Sequence, residues 1–152
     1  MWLIEALRTA RENHHFDLWA YVIMPEHVHL IVYPRETKYS IGQFLSDVKR
    51  PVARLALAYV QTTAPAFLAQ MADRQPKGRT AHRFWQRGGG YDRNLKTPQI
   101  IRSTIDYIHG NPVRRGLVKS PSEWVWSSAS FYEGKRDALL RPDVESLPDL
   151  PR

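Results

Sequence analysis

The run from Ala20 to Val32 constrains the fold more than any other stretch of this sequence. It consists of strand-forming apolar residues interrupted at Pro25-Glu26, a pair that marks a tight connection. Phe16 to Met24 is predicted as one strand, with apolar residues on both faces as expected of an interior strand. His27 to Tyr33 is predicted as a second strand, and the simplest arrangement of the two is an antiparallel hairpin that ends before Pro34.

The second predicted strand opens with two histidines, His27 and His29, separated by one apolar residue. Successive side chains of a strand point to opposite faces, so both imidazoles are expected on the same face. Two interpretations are open at this point. The histidines are either a pair of metal ligands on a rigid element or polar residues on the wet side of a half-exposed strand.

Two amphipathic helices are predicted, one before the hairpin in the sequence and one after it. Apolar residues at three- and four-residue spacing predict a helix over 2–13. Ser40 followed by Gln43 is a capping-box pattern, and the apolar periodicity after it predicts a helix over roughly 41–60. Pro51 lies within this helix and is expected to kink or divide it.

A third helix is predicted to begin at Thr97-Pro98, with threonine as the cap and proline in the first turn. It should stop near Gly110 to Pro112. Tyr107 and Asn111, four residues apart, would share one helix face, although Pro112 biases Asn111 away from helical geometry. The stripe expected to face the core consists of Ile101, Ile105 and Ile108.

The remaining segments have weaker patterns. Residues 62–82 read as a loop with a short helical insert, 83–87 as a short strand, and the three glycines 88–90 as a turn. The aromatic cluster in 122–132 is more typical of a core than of a base-stacking surface. The sequence thus predicts one domain over 1–136, followed by an extended tail over 137–152.

Composition excludes several classes of protein. At 152 residues and 43% hydrophobic content, the chain is large enough to bury the core of one domain. The absence of cysteine excludes disulfides, thiolate metal sites and cysteine catalysis. No apolar run approaches the ~18 residues of a membrane span, and no signal pattern opens the chain. These features are compatible with a cytoplasmic protein, and we expect no contact with the membrane.

The charge indicates a polyanionic partner. The chain has 22 Lys and Arg against 15 Asp and Glu, a net charge of +7. Residues 137–152 are net negative, and residues 74–102 carry eight basic residues against Asp92. Aromatic residues lie among these basic ones, a combination that favours a surface tracking phosphates over a merely solvated segment. The expected DNA contacts are Lys49, Arg50, Arg83, Trp85, Arg87, Tyr91, Arg93, Arg114 and Arg115.

Chemistry on a nucleic-acid phosphate needs a cation, a nucleophile and surrounding positive charge. Two imidazoles and one amide oxygen, those of His27, His29 and Asn111, would leave positions open for phosphate and water, which suits Mg²⁺ or Mn²⁺. Tyr107 is the natural nucleophile. Tyr91, in the glycine-rich basic segment, is its main competitor.

Several separated segments resemble the single-tyrosine HUH transposases, and most closely their branch of REP-associated tyrosine transposases. The matching segments are Ala20 to Val32, Phe84 to Gly88, Tyr91-Asp92, Tyr107 to Val113, Gly116 to Val118 and Trp124 to Ser128. The resemblance implies a ferredoxin-like α/β sandwich (α+β) with an antiparallel sheet, helices on one face, and the histidines on a central strand. The family usually has a further strand before the helix at 2–13, so this sheet is expected to lack it.

The resemblance also implies an activity. It is the cleavage of single-stranded DNA, commonly near hairpins, through a 5′-phosphotyrosine that leaves a free 3′-hydroxyl, with a divalent metal. By match to the family motif, His27, His29 and Asn111 would be metal ligands and Tyr107 the nucleophile. The partner would be single-stranded or hairpin DNA, bound by a monomer or homodimer. The resemblance also implies a bacterial cytoplasmic protein that is associated with the nucleoid. Two alternatives stay open: a relative that binds hairpin DNA without cutting it, and a hydrolase of small phosphate esters.

Overall fold

The computed structural model describes residues 1–74, 78, 80–88, 90–135 and 137–150. They form two compact units: unit 1 comprises Met1–His14 and Ser40–Asp92, and unit 2 comprises His15–Tyr39 and Arg93–Arg152. The α-helices are α1 (Trp2–Asn13), α2 (Ile41–Thr63), α3 (Pro98–His109), α4 (Asn111–Arg114) and α5 (Ala129–Tyr132). The strands are β1 (Phe16–Ile23), β2 (Val28–Pro34), β3 (Ala72–Arg74) and β4 (Thr80–His82). The mixture of helices and small antiparallel sheets confirms the predicted α+β class.

In unit 1, α1 packs against α2. The predicted cap of α2 is present, since the Ser40 hydroxyl accepts a hydrogen bond from the backbone N–H of Gln43 at 3.2 Å. Pro51 lies inside α2, and the helix continues past it to Thr63, so the proline does not divide this helix, and a kink at Pro51 stays a prediction. Val48 and Val52 on either side of it are buried, and burial of this face holds the helix together despite the missing N–H.

The segment after α2 is more ordered than its sequence suggests. The helical insert is a 3₁₀ helix over Pro65–Met71, and β3 pairs with β4 as a short antiparallel ribbon. Residues 83–87 are not a strand, because the ribbon ends at His82 and the arginines beyond it turn back onto Asp73. Gly88 and Gly90 both have positive φ, which explains the glycines of this turn. Gly89, Lys77 and Arg79 lie outside the described residues.

In unit 2, β1 and β2 form the predicted antiparallel hairpin. Val22 is opposite His29 and Ile23 is opposite Val28. The backbone N–H of Met24 donates to the carbonyl of His27 at 2.8 Å and closes the connection. His27 is therefore the last residue of the turn and His29 the second residue of β2.

The other edge of β1 is covered by the C-terminal part of the chain. Ile23 N–H donates to the carbonyl of Trp126, and Ser128 N–H donates to the carbonyl of Tyr21. Residues 137–150, predicted as an extended tail, also run along β1: Asp143 N–H donates to the carbonyl of Leu18, and its carboxylate accepts from the Leu18 N–H. Leu140 is buried. The domain limit at 136 stays a prediction.

Helix α3 covers the hairpin with the predicted isoleucine stripe. Its cap is the Thr97 hydroxyl, which accepts from Ile100 N–H at 3.3 Å. The expectation that Asn111 leaves helical geometry was wrong: Gly110 stays in the right-handed region and Asn111 begins the further turn α4, with Pro112 in its first turn. The core around the stripe contains Trp19, Ala20, Val22, Met24, Ile31, Ile101, Ile105 and Ile108, with Trp124 and Tyr132 packed against it.

None of the helices in the described part of the chain has the length and apolarity needed to span a bilayer.

Candidate active site

The two histidines of unit 2 meet at their ring nitrogens. The Nε2 atoms of His27 and His29 lie 3.1 Å apart, with the rings nearly perpendicular. The carboxylate of Glu26 lies 3.7 Å from Nδ1 of His27.

Tyr107 lies beside this pair. Its ring centroid is 6.4 Å from that of His29, with the rings edge to face. Tyr107 is 57% exposed, in contrast to Ile101, Ile105 and Ile108 of the same helix, which are buried. More than half of Tyr107 is therefore open to solvent.

Arg114 joins Tyr107 to Asn111. Its guanidinium lies over the Tyr107 ring, 4.3 Å from the centroid. One guanidinium nitrogen donates to the backbone carbonyl of Tyr107 and to Oδ1 of Asn111, both at 2.6 Å. The charge of Arg114 also lowers the pKa of His29. His29, Tyr107, Asn111 and Arg114 therefore form one cluster.

Asn111 is buried, and half of its amide has no partner. Oδ1 accepts from Arg114, whereas Nδ2 finds no hydrogen-bond partner among the described residues. A buried polar atom without a partner costs about 1–3 kcal/mol. Such a residue is usually retained for a reason other than stability.

The electrostatics keep His29 neutral. Burial lowers its pKa first, and the charges of His27 and Arg114 lower the pKa further. A neutral imidazole is the form that can bind a metal. Arg115, the neighbour of Arg114, is held apart from this cluster by a 2.6 Å ion pair with Glu26.

The donor set fits a divalent cation. Two adjacent ligands of an octahedral cation, each at about 2.1 Å, lie about 3 Å apart, which is close to the observed separation of the two Nε2 atoms. Among the described residues, no third His, Cys, Asp or Glu joins the two histidines. Asn111 is the amide of this cluster, and its role stays a prediction.

The predicted DNA contacts fall into both units. Lys49, Arg50, Arg83 and Trp85 line one cleft of about 240 Å³ in unit 1, where the Trp85 indole N–H donates to the carbonyl of Lys49 at 2.9 Å. Tyr91, also in unit 1, is 91% exposed. Arg87 is in unit 1 as well, and the remaining predicted contacts belong to unit 2, namely Arg93, Arg114 and Arg115.

Sequence reasoning missed Asp73, which organises the basic residues of unit 1. Its carboxylate accepts hydrogen bonds from Arg83 and Arg87, both at 2.6 Å. Those two bonds hold the pKa of Asp73 below its usual range. An acid at the border of a long basic run was the available signal. Lys49 and Arg50, by contrast, have no carboxylate partner among the described residues.

Comparison with known proteins finds sequence similarity to one group. A protein of Haemophilus influenzae described as a REP-associated tyrosine transposase is 24% identical over 148 residues, which cover 95% of this chain and 76% of that protein. The REP-associated tyrosine transposase of Escherichia coli K12 is 26% identical over 126 residues, covering 83% of this chain and 62% of that protein. The chain is similar to the REP-associated tyrosine transposases.

A solved structure agrees with this relationship at the level of the fold. The structure of a REP-associated tyrosine transposase bound to a REP hairpin matches 100% of this chain and 79% of that chain, with a TM-score of 0.56 and 23% identity. No protein-family model matches the sequence. The resemblance to REP-associated tyrosine transposases seen in the sequence segments is thereby confirmed.

Proposed function

We propose that this chain is a metal-dependent single-stranded DNA endonuclease and strand transferase that acts at hairpin DNA through Tyr107. The observation that carries the proposal is the exposed Tyr107 ring, which lies beside the paired histidines and under the guanidinium of Arg114. The relatives named as REP-associated tyrosine transposases support a transposase, and the hairpin in the solved structure supports this class of DNA.

The reaction is a phosphoryl transfer to tyrosine. Oη of Tyr107 attacks the phosphorus of a DNA phosphodiester, and its proton passes to solvent. The bond from phosphorus to the 3′-oxygen breaks, and that oxygen takes up a proton and leaves as a free 3′-hydroxyl. The 5′ end stays attached as a phosphotyrosine, and attack by another 3′-hydroxyl then reverses the step and releases Tyr107.

His27, His29 and Asn111 would hold the Mg²⁺ or Mn²⁺ ion. When bound, such an ion polarises a phosphoryl oxygen and stabilises the charge of the transition state. Arg115 would bind the DNA backbone at the rim of the site, where a guanidinium pairs well with phosphate. Lys49, Arg50 and Trp85 would bind a strand in unit 1 by charge and stacking.

The experiment is a covalent-adduct assay. The chain is incubated with a hairpin-bearing oligonucleotide and Mn²⁺ or Mg²⁺, and the adduct is detected by its reduced mobility on a denaturing gel. We expect an adduct from the unsubstituted chain and from Tyr91→Phe, and none from Tyr107→Phe, which lacks only the attacking oxygen. An adduct formed by Tyr107→Phe would reject the assignment.

A second candidate function is binding of hairpin DNA without cleavage. It is favoured by one observation, that Oδ1 of Asn111 is already engaged by Arg114. This candidate predicts salt-sensitive binding of the oligonucleotide and no adduct with any divalent cation. The same assay therefore separates the two functions.

A further inference from the structure

The side chain of Arg114 reaches back along its own helical turn. Long helical side chains point toward the N-terminus, and this one reaches Asn111, three residues earlier, and Tyr107, seven residues earlier. It makes two hydrogen bonds of 2.6 Å and lies over the Tyr107 ring. A guanidinium held in three ways is positioned by the fold and is more than a loose surface charge.

Gly110 supplies the space for this arrangement. A Cβ placed on Gly110 would lie 2.8 Å from a guanidinium nitrogen of Arg114, closer than real contacts allow. The backbone of Gly110 is in the right-handed region, with φ −75°, which any residue can adopt. The glycine therefore leaves room for the guanidinium, in a backbone conformation that other residues also adopt.

The position of Arg114 conflicts with the proposed role of Asn111. A ligand amide must point an oxygen lone pair at the cation, and Oδ1 of Asn111 is the atom that Arg114 holds. A guanidinium and a divalent cation on one amide oxygen would repel each other strongly in this buried place. Oδ1 of Asn111 therefore binds the cation more weakly while it accepts the hydrogen bond from Arg114.

We propose that Arg114 and the divalent cation compete for Oδ1 of Asn111, so that Arg114 lowers the affinity for the cation. This inference rests on the proposed function, since it assumes the cation site of His27, His29 and Asn111. In the absence of the cation Arg114 orients the buried amide. Once displaced, its guanidinium is available to a DNA phosphate next to Tyr107.

The test is a titration of the full chain with Mn²⁺ in the absence of DNA. The electron paramagnetic resonance signal of free Mn²⁺ measures how much of the ion is bound. Charge-assisted hydrogen bonds of this kind correspond to roughly tenfold or more in affinity. We expect Arg114→Ala to bind Mn²⁺ about tenfold more tightly. Gly110→Ala should also bind more tightly, although it keeps the arginine, because its Cβ displaces the guanidinium.

Two controls accompany these variants, and thermal denaturation checks that each folds. Arg102→Ala removes a charge from an exposed arginine of α3 that pairs with Asp106, and its Mn²⁺ affinity should stay within about twofold. His27→Ala should lose the Mn²⁺ and so locate it at the histidines.

Each other outcome rejects the competition in a distinct way. If Arg114→Ala and Gly110→Ala bind Mn²⁺ as the unsubstituted chain does, or more weakly, the competition is wrong while the cation site stands. If Arg114→Ala binds more tightly and Gly110→Ala does not, a general effect of charge replaces competition for the oxygen. If no variant binds Mn²⁺ in a His27-dependent way, the proposed cation site fails as well.

Discussion

At the scale of single residues, Tyr107 and His109 of α3 differ sharply in their exposure to solvent. Tyr107 is exposed, whereas His109, two residues later on the same helix, is 6% exposed and lies 2.8 Å from the Ser128 hydroxyl. The two residues point to different sides of α3, as their spacing requires. His109 thus anchors the helix that presents the proposed nucleophile.

The burial of His109 predicts a pH dependence of stability. Burial lowers the pKa of His109 to about 4, so the unfolded chain takes up the proton first and stability falls as the pH drops from about 6.5 toward 4. We expect the free energy of unfolding to decrease by about 2 kcal/mol between pH 7 and pH 5 from this group.

Urea denaturation at several pH values measures this effect. His109→Gln cannot take up the proton, so its unfolding free energy should change much less over the same range, with a remainder from His29, whose pKa is also lowered. An equal pH dependence in both proteins would show that His109 is not the responsible group.

At the scale of elements, α3 connects the core to the site. Ile101, Ile105 and Ile108 are buried against the hairpin core, and the same helix carries Tyr107 on its other side. The position of Tyr107 relative to His29 therefore depends on apolar packing one turn away.

Truncation of the central isoleucine of this stripe, Ile105, tests the packing of α3 on the core. Ile105 is 1% exposed, and Ile105→Ala should lower the free energy of unfolding by about 2–5 kcal/mol because it removes packed methyl groups and leaves a cavity. Ser103→Ala, on the exposed side of α3, should change it by less than about 0.5 kcal/mol. Urea denaturation measures both, and equal effects would contradict the assigned packing.

Elements with strong local patterns were predictable from the sequence. The caps Ser40 and Thr97 and the isoleucine stripe were found because each depends on residues within a few positions of one another. The continuity of α2 through Pro51 and the ribbon ending at His82 were not predictable, because they depend on burial and on Asp73.

The site shows the same division. The pairing of His27 with His29 was expected from strand alternation, although His27 lies just before β2. Helical spacing predicted that Tyr107 and Asn111 are neighbours, and Arg114 bonds to both. The role of Gly110 as a space for Arg114 could not be read from the chain, since glycine there resembles an ordinary helix stop. The path of residues 137–150 along β1 depends on hydrogen bonds more than a hundred residues apart in the sequence, for example Leu18 to Asp143.

At the scale of the whole molecule, the net charge of +7 is distributed between paired and free groups. Arg83 and Arg87 share the carboxylate of Asp73, whereas Lys49 and Arg50 have no such partner in the described part of the chain. The free pair should therefore contribute most to phosphate binding in unit 1.

The salt dependence of DNA binding tests this distribution. For a single-stranded oligonucleotide, the double variant Lys49→Gln/Arg50→Gln should flatten the slope of log K against log[NaCl] by roughly 0.7 per lost phosphate contact. Arg8→Gln, which removes an arginine of α1 paired with Glu5, is the matched control and should keep the slope. Equal slopes in the double variant and the unsubstituted chain would remove this cleft from the DNA surface.

The central claim is that Tyr107 forms the covalent bond to the 5′-phosphate of the DNA. Its most direct test is mass spectrometry of the trypsin-digested adduct, because Tyr107 and Tyr91 fall on different tryptic peptides, Ser103–Arg114 and Gly88–Arg93. We predict that the phosphonucleotide is found on Ser103–Arg114 at Tyr107. A phosphonucleotide on Gly88–Arg93 at Tyr91, or on neither peptide, would contradict the claim.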